Sequence, residues 1–130
     1  MFAQVRTLGT VPQSELIFYK EGETVVFDEW LKALPVKVQA KCLTVVSMLR
    51  SQGHELRRPI ADILRDGIYE LRLSYQGINY RILYFFSGKN IVVISHGLSK
   101  KVDVPAIEID RAIERKNEYE ANPKVHGVKR

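Results

Sequence analysis

GIYELRLSY (Gly67–Tyr75), QG (Gln76–Gly77) and INYRILYFF (Ile78–Phe86) decide the fold of this chain. Two runs rich in β-branched and aromatic residues, joined by two residues that end in glycine, predict an antiparallel hairpin with a tight turn. A two-residue loop pairs Tyr75 with Ile78, so Leu73 faces Tyr80, Leu71 faces Ile82 and Tyr69 faces Tyr84. These side chains form one apolar face, the one that helices should cover. Period-two alternation sends Glu70, Arg72 and Ser74 to the other face, with Asn79, Arg81 and Leu83. Arg72 then lies directly opposite Arg81. A third strand, Asn90–Leu98, follows the Ser87-Gly88-Lys89 turn. A hairpin centred on Gly88-Lys89 puts His96 opposite Arg81 on the same face. The expected result is a transverse row of Arg72, Arg81 and His96.

Outward from this meander, the pattern becomes helical. Val38, Cys42, Val45, Val46 and Leu49 follow i, i+4, i+7, i+8, i+11 and make one stripe. Pro35 suits the start of that helix and Gly53 its stop. Thr24 can cap a shorter helix running to about Leu34, with Trp30 in the core. Leu16–Lys20 reads as a first strand, and residues 1–15 read as a loose arm. HELRRP (residues 54–59) is a basic loop. Pro105 begins a last helix through about Asn122, and Pro123 opens a frayed tail over residues 123–130. The order β-α-α-β-β-β-α predicts a single α+β domain over residues 16–122. It should be a twisted, mostly antiparallel four-stranded sheet with its helices on one face.

The 130 residues suffice for one domain, and 45% hydrophobic with 27% charged residues is the balance of a chain that can build a core. That excludes a disordered tail and a disulfide-stapled miniprotein. No apolar run approaches the roughly 18 residues that a membrane-spanning helix needs. MFAQVRTLGT has no apolar signal region, and the one cysteine reads as a small buried hydrophobe, so a cytoplasmic protein is expected. Net charge is +5, and its distribution is uneven. Residues 49–101 carry nine basic and four acidic groups, while the segments on either side are balanced. The excess therefore sits on the strands and their loops, where it attracts polyanions.

Like charges opposed across strands cost up to about 1 kcal/mol. A purely structural sheet has no use for that arrangement, whereas a phosphate site does, because each arginine fork donates two charge-assisted hydrogen bonds. Arg72 and Arg81 are thus the leading candidates for charge stabilisation. His96, whose ordinary pKa suits proton transfer, is the candidate acid or base. Lys101 or Lys100, just past the third strand, closes one end of the row. Arg57, Arg58 and Arg65 are candidate phosphate contacts around it. With one cysteine and three scattered histidines, no metal site is expected, and no nucleotide-cofactor motif occurs.

The runs LRDGIYELR (Leu64–Arg72), YRILYF (Tyr80–Phe85) and HGLSKK (His96–Lys101) resemble the RelE/HigB toxins of toxin–antitoxin modules, closest to the phage-related HigB-like branch. The resemblance covers about residues 16–122. It implies a ribosome-dependent mRNA endonuclease that needs no metal, with a small DNA-binding antitoxin, the ribosome and mRNA as partners. It also implies a basic concave site in which Arg72, Arg81 and Lys100 or Lys101 match basic positions. Glu70 stands where many RelE members carry lysine, and their C-terminal catalytic tyrosine has no aligned counterpart. Two other readings are a ParE-like toxin of the same fold that inhibits gyrase, and a non-catalytic RNA-binding module.

Overall fold

The computed structural model describes residues 13–99 and 103–130. The elements run β1 (Glu15–Glu21), β2 (Thr24–Val25), α1 (Val26–Lys32), α2 (Val36–Gln52), a 3-10 turn (Gly53–Glu55), β3 (Ala61–Arg65), β4 (Ile68–Tyr75), β5 (Ile78–Ser87), β6 (Ile91–Ser99), α3 (Ala106–Ala121), α4 (Pro123–His126) and β7 (Gly127–Lys129). The strands form one sheet in the order β2-β1-β6-β5-β4-β3, with β7 also paired to β1. Every pairing is antiparallel except that of β1 with β6. The first fourteen residues of the expected arm lie, up to residue 12, outside the described residues.

The α+β class stands, but the four-stranded sheet with helices on one face does not: seven strands form, and helices pack on both faces. Three local causes add the extra strands. Asp66 and Gly67 take φ of 51° and 80°, so they make the same kind of turn as Gln76 and Gly77 and fold β3 back on β4. Thr24 does not cap α1 through its side chain; with Val25 it pairs with Lys20 and Glu21 as β2. The tail, expected to be loose, pairs Ile17 with Lys129 and Phe18 with Val128 as β7.

The second layer of helix follows from composition. Ile82–Phe86 and Ile91–Ile94 are unbroken apolar runs rather than alternating ones, so both faces of the central strands demand cover. On one face, the α2 stripe of Val38, Cys42, Val45, Val46 and Leu49 packs against Leu71, Ile82, Tyr84 and Ile94. On the other, Ile109, Ala112 and Tyr119 of α3 pack against Ile17, Tyr19, Leu83, Phe85 and Val93. Trp30 of α1 lies on β6 at Gly97, where an added Cβ would fall 2.3 Å from the indole ring. Only glycine lets the helix come that close.

Candidate active site

The β4–β5 register is the one the sequence dictates: Tyr75 opposite Ile78, Leu73 opposite Tyr80, and Arg72 opposite Arg81. The β5–β6 register is not. Pairing steps from Tyr84–Ile94 to Leu83–His96, which leaves Ser95 as an extra residue in β6. Leu98, not His96, therefore lies opposite Arg81, and the row of Arg72, Arg81 and His96 is not formed. His96 faces Leu83, two residues along the strand.

Beside the arginine pair runs a row of the opposite sign. Asp62 of β3 lies opposite Glu70 of β4, one step from Arg72 opposite Arg81. Two like-charged cross-strand pairs thus stack so that their diagonals neutralise. Arg72 Nη2 donates to Asp62 Oδ2 at 3.0 Å, and its Nε donates to Glu70 Oε2 at 2.7 Å. Arg81 Nε lies 3.0 Å from Glu70 Oε1, close enough for an ion pair but without hydrogen-bond alignment; both atoms are buried. Arg58 Nε donates to Asp62 Oδ2 at 2.9 Å and extends the chain of alternating charge to the surface. The repulsion implied by the facing arginines is met inside the protein by Glu70, a carboxylate only 3% exposed.

These contacts tune the groups. Glu70 raises Arg72 above its ordinary value, chiefly through the hydrogen bond. At Asp62 partial desolvation pushes upward, but the Ile63 N–H, Arg58 and Arg72 outweigh it and hold the carboxyl below its ordinary range. The whole cluster stays charged at neutral pH.

His96 has other employment. Its Nε2 lies 3.0 Å from Glu108 Oε1 of α3, and its Nδ1 lies 2.8 Å from Ser95 Oγ. The arrangement suits a neutral ring that donates to the carboxylate and accepts from the hydroxyl. Burial, joined by the charge of Arg115, lowers its pKa to about 4. Ser95 is fully enclosed, so the Ser95–His96–Glu108 line fastens α3 to the bulge and presents no nucleophile to solvent. Arg65 is likewise committed to α3, through Asp110 at 2.5 Å, and to Asp66 at 3.0 Å. Arg57 stands at the rim of the β3 edge, donating to the His54 carbonyl. Lys100 and Lys101 lie outside the described residues. Asp62 and Glu108 were not anticipated as partners. The Asp-Gly pair at 66–67 was the signal that could have placed Asp62 on a strand facing Glu70. Among the described residues, no group of three or more His, Cys, Asp or Glu is arranged to hold a metal. No described helix is long and apolar enough to cross a membrane.

The family model described as "Phage derived protein Gp49-like (DUF891)" matches residues 29–117. The chain belongs to the Gp49-like family. The match runs from α1 into α3 and takes in the whole charged cluster, leaving β1, β2 and the β7 tail outside it. The Gp49-like family is associated with the toxins of toxin–antitoxin modules, of the RelE/HigB type, and such a toxin implies a cognate antitoxin. No curated protein matches this Gp49-like chain.

Proposed function

We propose that this Gp49-like protein is a toxin that cleaves mRNA at the ribosome, with the paired arginines of β4 and β5 as its phosphate site. The observation that carries the reading is the Arg72–Arg81 pair, whose inner member holds a buried Nε–H with no aligned acceptor. A buried donor left unaligned is costly, and a phosphate oxygen brought to it would recover that cost. In the reaction the ribose 2′-oxygen loses its proton and bonds to phosphorus, and the 5′-oxygen leaves as a hydroxyl. The products are a 2′,3′-cyclic phosphate and a 5′-hydroxyl end. Arg81 and Arg72 stabilise the charge that gathers on the phosphoryl oxygens. Glu70 fixes both guanidiniums in place, and yields part of its hold on them when the phosphate arrives. Lys100 or Lys101 fits a flanking phosphate. His96, with both ring nitrogens engaged, is assigned to holding α3 rather than to proton transfer.

The test is expression of the chain without an antitoxin. Growth should arrest through loss of translation, and primer extension on translated mRNA should show new cuts. Arg81→Ala should reduce cleavage about 10²–10³-fold with the fold intact. A folded, fully active Arg81→Ala variant would remove the site. Intact mRNA together with blocked gyrase supercoiling would replace the nuclease with the gyrase-inhibiting reading.

A further inference from the structure

The open edge of the sheet carries a groove of about 420 Å³, lined by Leu56, Arg57, Arg58, Asp62, Ile63 and Tyr69 among others. That volume is within the roughly 300–1,000 Å³ of ligand sites. Two features make it unlike an ordinary sheet edge. First, its backbone donors are already taken: Ala61 N–H donates to the Arg57 carbonyl at 3.1 Å, and Ile63 N–H to its neighbour Asp62 Oδ1 at 2.9 Å. A partner strand laid against β3 would find those two donors occupied, which disfavours strand addition. Second, the groove combines cationic and aromatic chemistry. Arg57 and Arg58 stand exposed at its rim, and the half-buried Tyr69 forms part of its wall. Tyr69 continues into an aromatic run, packing edge-on against Phe86, on which exposed His54 stacks at 3.6 Å.

We propose that this groove is a nucleotide subsite, taking the base and phosphate of one unpaired RNA residue next to the one held at Arg72 and Arg81. Aromatic surface with neighbouring arginines is the chemistry that captures single-stranded nucleic acid. The two sites are continuous, because Asp62 Oδ2 bonds Arg58 on the groove side and Arg72 on the other. The inference rests on the ribonuclease reading for its orientation, yet it makes its own binding prediction.

The probe is a fluorescently labelled 2′-O-methyl RNA hexamer, which cannot undergo 2′-oxygen attack, compared with the same strand carrying central abasic residues. Anisotropy should show the intact strand binding about tenfold more tightly, since each stacked base contributes appreciably. The Arg57→Gln/Arg58→Gln double variant, exposed positions that leave Asp62 its Arg72 partner, should weaken binding. It should also lower the salt slope by about 1.4, roughly 0.7 per phosphate lost. His54→Ala should weaken the intact strand more than the abasic one. Equal binding of both strands, an unchanged double variant, or no binding of the hexamer by the wild type overturns the subsite. Cleavage lost in Arg81→Ala but normal in the groove variants would discard the groove and keep the ribonuclease. Cleavage unaffected by Arg81→Ala would discard the arginine-pair site, while the anisotropy result still decides the groove.

Discussion

Glu70 Oε1 sits 3.0 Å from Arg81 Nε at a point where the carboxylate is almost wholly enclosed and the guanidinium nearly so. The same carboxylate bonds Arg72, so one buried anion holds the two cross-strand cations apart. Removing one partner of a buried ion pair costs more than the pair is worth, because the survivor stays desolvated. Arg81→Met should therefore lower stability by about 3 kcal/mol in urea melts. Glu70→Gln should also lower the melting temperature, and added sulfate should recover part of that loss by standing between the arginines. The wild type should respond to sulfate much less. Equal sulfate shifts in both proteins would show that the arginines are not the anion's partners.

His96 makes stability depend on pH in a defined window. Its folded pKa, about 4, lies below the ordinary value of 6.5, so the unfolded chain takes up a proton that the folded protein refuses. Stability is thus fully present above pH 6.5 and is lost as pH falls toward 4, by an amount on the order of 3 kcal/mol. His96→Gln should be less stable than the wild type at pH 7.5 and should show a shallower decline between pH 6.5 and 4.5. Urea titrations across that range check it; parallel curves would refute the assignment.

Gly97→Ala should destabilise through a single collision. The new methyl group would lie within 2.5 Å of three Trp30 ring atoms, and the ring must move or α1 must lift from β6. Overpacking of this kind costs about 1–3 kcal/mol. Tryptophan emission reports it directly, since Trp30 is the sole tryptophan and should shift to the red as it gains solvent.

Truncation after His126 should unpin the edge of β1. It removes the β7 pairing, the Lys129–Glu15 ion pair and Arg130, which bonds Asp28 and lies over the Phe18 ring at 5.3 Å. A loss of roughly 2 kcal/mol, or about 5–10 °C in melting temperature, is expected. Faster hydrogen exchange confined to β1 and α1 would locate the effect; uniform exchange would argue against it.

The sequence by itself determined the β4–β5 register, the Arg72–Arg81 facing pair, the buried stripe of α2 and its stop at Gly53. All of these rest on interactions a few residues apart: a two-residue turn leaves a hairpin one register, and a 3.6-residue period leaves a helix one buried face. Tertiary structure alone decided the rest. Ser95 bulges so that His96 meets Glu108 of α3, a helix about ten residues further on, and no local rule places that extra residue. The tail becomes a strand only because the edge of β1 is there to receive it. Glu70 became the shared counter-ion of two arginines because β3 brought Asp62 opposite it and the sheet enclosed it, and burial and diagonal contact of that kind arise only once strands distant in sequence lie side by side.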